Sequence, residues 1–438
     1  MPLKRDLSLA WGMGLRALNS RRSRRRLDRL GVDRRAPRDG EVRVAVYFAD
    51  GAVNMYQIRQ WLEPLAALNE TYPVAIIARS PETMLALLEE SPVPVVYARR
   101  VVDLEEFVES QPLALTLYVN QNAKNFQMMR YGRMWHVFVN HGESDKMYMT
   151  TNQFKAYDYS FVAGDAALAR LRSKLWDYDL ETRAIPIGRP QADHFAGTTP
   201  YAPDDRIVVL YAPTWEGDRA SAAYGSIATH GSALVQAVLA TGRHRLIYRP
   251  HPRSGVVDPD YRRAHEQIVA AVERANAADP SAQHVYDQGP SLGWQLAAAD
   301  VAVSDVSAMV YDRLATGLPL IVTRPVSPDA DVDESGYLGS AEWLTAADAG
   351  RIVDVVDRVR ADPEARARLD HWVHRHFGDT SPGAATRRFE EAVARLVTRR
   401  DEFAAADPLT AAPASAGSEH EADASRGATV VPDDETDL

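Results

Sequence analysis

Cysteine is absent from the 438-residue chain, which excludes a disulfide framework, a thiolate metal site, an iron–sulfur cluster and a cysteine nucleophile. A reducing compartment is the expected home. Long apolar runs are missing as well: nothing approaches the roughly 18 consecutive apolar residues of a membrane-spanning helix, and the basic start lacks the apolar stretch of a signal peptide. A cytoplasmic protein is expected. Net positive charge is confined to the first 38 residues. That segment holds 12 Lys and Arg against three acids, residues 404–438 hold eight acids against Arg426, and the body between them carries −12 of the total −10. An acidic body argues against nucleic acid as a partner.

Hydrophobic residues make up 46% and charged residues 25%, an ordinary globular balance. The length is about three times that of a typical domain of roughly 150 residues, so two cores are expected. Short apolar runs alternate with helical stretches through VRVAVYF (42–48), PVAIIA (73–78), PVVYA (94–98), LALTLYV (113–119), WHVFVN (135–140), YSFVAG (159–164) and AIPIG (184–188). Apolar strands without polar alternation, separated by helices, mark a parallel sheet covered on both faces. Residues 188–205 gather Gly, Pro, Thr and Asp as a linker does. A second series follows with RIVVLYAP (206–213), HRLIYRP (244–250), HVYD (284–287), VAVS (301–304) and LPLIVT (318–323), and residues 349–400 read as helical. The expectation is an α/β chain in four parts. Residues 1–38 form a basic amphipathic segment, 39–195 and 196–403 two doubly wound Rossmann-type domains facing a central cleft, and 404–438 a disordered acidic tail.

Three strand ends carry chemistry-bearing residues. At Val139-Asn140-His141-Gly142, His141 is placed as a general base near neutral pH, with Gly142 giving room for a ligand or an unusual backbone angle; a histidine at a plain turn is the other reading. Tyr248-Arg249-Pro250-His251-Pro252-Arg253 puts two cations and an imidazole on a stiff loop suited to a pyrophosphate, or to a solvated surface. In Ser304-Asp305-Val306-Ser307, a strand runs into a helix whose first turn suits either a phosphate or simple capping by Ser and Asp. Thr214 and Trp215 close the first strand of the second domain, with packing as an equal role for Trp215. Other patterns are discounted. Gly12-Met13-Gly14 follows no strand, Asp329, Asp331 and Asp333 lack the rest of a calcium loop, and His371, His374 and His376 do not share one helix face and read as solvated.

LYAPTW (210–215), RPHP (249–252) and SDVSAMVYDRLATGLPLIV (304–322), with HG (141–142) ahead of them, resemble in kind and order the CDP-glycerol glycerophosphotransferase family of teichoic-acid type. The resemblance covers roughly residues 130–325. It implies a GT-B-like fold whose second domain holds a CDP-alditol donor and whose first presents a lipid-linked or polymeric glycan acceptor. It further implies His141 as catalytic base and His251 as a second essential histidine beside the pyrophosphate. Arg249, Thr214, Ser304, Asp305, Ser307 and Asp312 fall on the donor side, with no metal and no cofactor beyond the substrate. Two stretches depart from the family pattern: Ser335-Gly336-Tyr337-Leu338 on the donor side and Glu143-Ser144-Asp145-Lys146 on the acceptor side. A GT-B glycosyltransferase using a UDP- or GDP-sugar is the alternative enzyme, and a membrane-recruited scaffold with a decayed site the non-enzymatic one. Finally, Leu3, Leu7, Trp11, Leu15 and Leu18 recur at helical spacing ahead of the Arg-rich run 21–26, which suits an anionic membrane surface on the inner face of the cell membrane.

Overall fold

The computed structural model describes residues 20–31, 37–142, 151–289 and 292–407. Two parallel sheets dominate it. The first is built from Val44–Phe48 (β1), Val74–Ala78 (β2), Val95–Tyr97 (β3), Leu115–Tyr118 (β4), Trp135–Phe138 (β5), Tyr159–Val162 (β6) and Ala184–Pro186 (β7), in the order β3-β2-β1-β4-β5-β6-β7. The second contains Ile207–Ala212 (β8), His244–Tyr248 (β9), Val285–Tyr286 (β10), Val301–Ser304 (β11), Leu320–Thr323 (β12) and Glu342–Leu344 (β13), in the order β10-β9-β8-β11-β12-β13. Both reverse direction once, between β1 and β4 and between β8 and β11. Such a switch point opens a crevice at the carboxyl ends of the strands.

The strands show why the sequence reads as two-sided. In β1 the side chains of Val44, Val46 and Phe48 enter one apolar core while Ala45 and Tyr47 enter the core on the opposite face. In β8 the same alternation sends Val208, Leu210 and Ala212 one way and Val209 and Tyr211 the other. Successive side chains point to opposite faces of a strand, so a sheet buried on both sides requires apolar residues throughout. Helices begin where the chain supplies a cap and a proline together. Ser80 accepts from the Thr83 N–H ahead of Pro81–Glu90, Asp258 from Asp260 ahead of Pro259–Ala278, and Asp362 from Glu364 ahead of Pro363–Phe377. Each pairs an N-cap acceptor with a proline whose fixed φ starts the helix.

Several expectations need correction. The last helix, Ala384–Ala406, does not stay with the second domain: Phe389, Ala392, Val393, Leu396 and Val397, at helical spacing, fill the first domain's core. The Trp135 indole donates to the Leu396 carbonyl at 3.0 Å, and the boundary drawn at 403 falls inside this helix. β13 was not foreseen, because its three residues form no apolar run. Some connections hold only short helices: Asn125–Met128 and Trp294–Ala298 are brief, and Ser232–Leu239 is preceded by a wide turn at Ile227–Gly231. The amphipathic run through Leu18, the Glu143–Lys146 stretch and the tail beyond residue 407 lie outside the described residues. Among the described residues, no helix is long and apolar enough to cross a membrane.

Candidate functional site

The turn after β5 is held by its asparagine. Asn140 has φ +57°, the left-handed region that Asn tolerates better than most side chains. Its Oδ1 accepts from the His141 N–H at 2.8 Å, its Nδ2 donates to the Gly142 carbonyl at 2.6 Å, and its own carbonyl accepts from the Trp61 indole at 2.5 Å. The unusual backbone angle expected of Gly142 therefore sits two residues earlier. His141 turns its Nδ1 to the Val119 carbonyl at 2.9 Å. A carbonyl only accepts, so Nδ1 carries a hydrogen, and it is Nε2 that holds the lone pair whenever the ring is neutral. The Tyr56 ring packs edge-on against the imidazole, with centroids 5.8 Å apart.

Beside this turn, at the switch point between β1 and β4, lies a polar network that the sequence reading missed. The Asp50 carboxylate accepts from the amides of Asn120 at 2.5 Å and Asn54 at 3.1 Å. Asn120 also donates to the Gln57 Oε1 at 2.7 Å, and Gln57 donates to the Tyr56 hydroxyl at 3.3 Å. The chain of bonds runs from Asp50 to the ring packed on His141. The signal was available: Phe48-Ala49-Asp50 and Val119-Asn120 end the two strands at which the order of the first sheet reverses.

On the second sheet, the switch point is organised by Asp305. Its carboxylate is fully buried and accepts from the Thr214 N–H at 2.8 Å, the Ser226 N–H at 3.1 Å and the Thr323 hydroxyl at 2.6 Å. Burial pushes its pKa up from 3.8 to about 6 even though these hydrogen bonds act in the opposite sense. Ser304 is buried too, its hydroxyl near the carbonyls of Ala212 and Asp305. Expected as donor-phosphate contacts, Ser304 and Asp305 instead form the floor that fixes the Thr214 loop. Thr214 itself is half-buried, with its carbonyl accepting from the Tyr261 hydroxyl at 2.6 Å. Ser307 stands at the N-cap position of Ala308–Leu314 but donates to the Asp305 carbonyl at 3.1 Å rather than capping.

The Arg249–Arg253 loop docks on the same floor, with the His251 N–H donating to the Pro213 carbonyl at 3.0 Å. His251 is exposed, and its Nδ1 accepts from the Arg253 N–H at 3.1 Å. An N–H only donates, so the neutral His251 ring carries its hydrogen on Nε2, the reverse of His141. Arg253 stacks its guanidinium 3.9 Å from the centre of the Trp215 ring, and Glu216 accepts from the N–H groups of Gly255, Val257 and Asp258 at 2.7–3.0 Å. Burial raises the Glu216 carboxyl, and the backbone donors more than reverse this, holding it below its usual range. Arg249, expected on the pyrophosphate, is ion-paired with Asp287 and donates to the Gly289 carbonyl at 3.1 Å.

Asp312 corrects the donor-side assignment most clearly. It is 5% exposed and forms an ion pair with Arg189, a residue of the stretch read as linker. Burial raises the Asp312 carboxyl, with Arg189 opposing. The Arg189 guanidinium also donates to the Gln60 Oε1 at 3.2 Å and lies against Gly142, where an added Cβ would stand 3.6 Å from Nη1. One arginine thus joins the His141 turn of the first sheet to the helix that follows β11 of the second, across the cleft. The aspartates 329, 331 and 333 form no cluster, since among the described residues no three His, Cys, Asp or Glu side chains come together. Of the three helix histidines read as solvated, His376 is buried at 3% exposure, packed 5.3 Å from the Tyr311 ring.

No protein-family profile and no curated protein matches the chain. Solved structures do match in shape. A Listeria monocytogenes protein described as a UDP-N-acetylglucosamine 2-epimerase superposes with a TM-score of 0.55 at 12% identity, covering 83% of this chain and 98% of its own. The wall teichoic acid polymerase TagF gives 0.53 at 13% identity over 87% of this chain and 99% of the other. Another UDP-N-acetylglucosamine 2-epimerase gives 0.53 at 13% over 81% and 96%. The chain has the GT-B-like fold: two doubly wound α/β domains around a cleft, with a helical C-terminal region.

Proposed function

We propose that the protein transfers glycerol phosphate, or another alditol phosphate, from its CDP form to a hydroxyl of a teichoic-acid-like or other cell-surface glycopolymer acceptor, releasing CMP. The observation that carries this reading is the placing of two histidines at the carboxyl ends of strands in the two domains, with opposite roles at Nδ1: that of His141 faces the Val119 carbonyl and that of His251 accepts from the Arg253 N–H. His141 takes the proton of the acceptor hydroxyl, whose oxygen bonds to the phosphorus carrying the alditol. The bond from that phosphorus to the bridging oxygen breaks, and CMP leaves with its new charge stabilised by the His251 Nε2–H. The order of the LYAPTW, RPHP and SDVSAMVYD motifs supports the donor class, and the shape shared with TagF is compatible with it. Thr214, Ser307, Arg249 and Arg253 are donor-side groups with exposed surface.

The test is calorimetry of the purified protein with CDP-glycerol, CDP-ribitol, CMP, UDP-glucose and GDP-mannose, followed by CMP release with a glycan acceptor. The expected result is selective binding of a CDP-alditol, weakened in His251→Ala, and CMP release lowered by a factor on the order of 100 to 10,000 in His141→Ala with donor binding retained. Preference for a UDP- or GDP-sugar overturns the phosphotransferase reading in favour of a glycosyltransferase. Absence of all nucleotide binding points to a scaffold.

A further inference from the structure

Helix 20–30 lies on the edge of the first domain with two distinct faces. Leu27 is buried in the domain core and Arg24, one turn earlier, is half-buried on the same face, whereas Arg21, Arg22, Arg25, Arg26 and Arg29 are exposed. Between this helix and the start of the helix Val101–Ser110 is a cavity of about 440 Å³, lined by Arg24, Tyr97, Arg99 and Arg100 along with Asp28 and Asp103. Asp103 is committed to Arg100, accepting from its side chain and from its N–H. That leaves Arg24 and Arg99 facing Asp28. Two further groups on the wall are buried without a hydrogen-bond partner among the described residues: the Arg24 Nε and the Tyr97 hydroxyl. Burial pushes the Tyr97 phenol up while the Arg99 and Arg24 charges pull it down, and the net result keeps it protonated and able to donate. Unsatisfied buried donors are uncommon and call for an acceptor.

We propose that this cavity is an anion site, separate from the transfer cleft, that takes the phosphodiester of an anionic lipid headgroup, with the exposed arginines of helix 20–30 against the membrane surface. The chemistry is that of planar guanidinium donors on phosphate oxygens. The lipid is favoured over a soluble phosphate by the setting. The cavity lies directly behind a helix whose outer face carries five arginines, in a chain whose body is otherwise acidic. Leu30, 53% exposed at the end of that helix, adds an apolar contact. The position is also productive. The cavity sits at the carboxyl end of β3, four strands from the β5 whose following turn carries His141, or about 19 Å at ordinary strand spacing. A membrane there would border the same rim that carries His141, where a lipid-linked acceptor has its head.

The experiment is co-sedimentation of the full chain with phosphatidylcholine vesicles, with and without phosphatidylglycerol, at low and raised salt. It makes no use of the transfer reaction, so its failure leaves the proposed activity standing, and the reverse also holds. The wild-type protein is expected to bind only the phosphatidylglycerol vesicles and to retain part of that binding at raised salt, since partly buried pairs are less screened than surface ones. Arg21→Gln with Arg25→Gln removes outer-face charge and should weaken low-salt binding by on the order of fivefold for each arginine. Arg24→Gln with Arg99→Gln should abolish the salt-resistant fraction. If that double variant fails to fold, Tyr97→Phe, which removes a hydroxyl and no charge, should lower the same fraction severalfold. Wild-type salt resistance in both cavity variants overturns the proposal, as does equal binding to both vesicle types. Full competition by soluble glycerol 1-phosphate, or displacement from vesicles by an RNA oligomer, overturns the lipid as its ligand.

Discussion

Asp305→Asn separates two roles for the Ser-Asp-Val-Ser turn: contact with a ligand, or a buried floor beneath it. In the folded protein the carboxyl moves from 3.8 to about 6 because burial outweighs three hydrogen bonds. Between those values the native state holds a proton that the unfolded chain has released, so stability falls as pH rises through the window. At about 1.4 kcal/mol for each factor of ten in proton affinity, the loss is about 3 kcal/mol and is complete above about pH 6. Asparagine keeps an oxygen for the Thr214 and Ser226 N–H groups, turns an amide to the Thr323 hydroxyl, which can rotate to accept, and removes the charge. Urea unfolding at about pH 4 and about pH 7.5 should therefore show the free-energy difference between variant and wild type moving by about 3 kcal/mol in the variant's favour as pH rises. Asp305→Leu strands two N–H groups instead and should lose about 1–3 kcal/mol for each at either pH. A difference that stays flat with pH refutes the argument from burial. CMP release abolished in Asp305→Asn with stability intact would refute the floor role and return Asp305 to the ligand.

Two other perturbations test the joint between the domains. Arg189→Met leaves Asp312 charged and buried and should lower stability by about 3–5 kcal/mol, whereas Arg189→Met with Asp312→Leu removes both charges and should recover most of it; thermal unfolding of the four-member cycle decides. His376 has its pKa lowered to about 3 by burial first and by Arg170 and Arg375 next. Its native ring stays neutral while the unfolded chain takes up a proton below about 6.5, so stability is lost as pH falls from there. His376→Phe should flatten that acid limb by on the order of 4 kcal/mol in unfolding curves from about pH 7 to about pH 4, and an unchanged limb would assign the loss to other groups.

The two-domain layout was legible because a sheet covered on both faces writes itself as apolar runs, and β1, β2, β8 and β11 do so without interruption. The polar floors were not. Asp50 and Asp305 follow directly on apolar runs and read as loop or ligand residues. What buries them is the return of other strands and loops, Asn120 for one and Thr214, Ser226 and Thr323 for the other. Arg189 was hidden for a related reason. Gly188-Arg189-Pro190 has the composition of a linker, and its partner Asp312 lies 123 residues further on. His376 was misread because i, i+3 and i+5 spacing rules out a shared face for three histidines but says nothing about which one faces inward. The helix Ala384–Ala406 showed its apolar stripe plainly, yet the stripe carries no label for the domain it covers.

The position of Asp305 and Asp312 in one strand–turn–helix unit bears on how the two halves work together. Asp305 fixes the Thr214 and Ser226 segments of the donor side. Asp312, about one turn into the helix Ala308–Leu314 that follows, grips Arg189 against the Gly142 next to His141. A rotation of the second domain relative to the first that separates Asp312 from Arg189 leaves a buried charge on each side, at a cost of several kcal/mol unless water or ligand enters. Closed and open arrangements are therefore discrete rather than graded. With the pair made, the Arg189 guanidinium backs the Asn140–Gly142 turn that carries His141. The Arg189–Asp312 pair therefore couples the position of the His141 turn to that of the helix Ala308–Leu314.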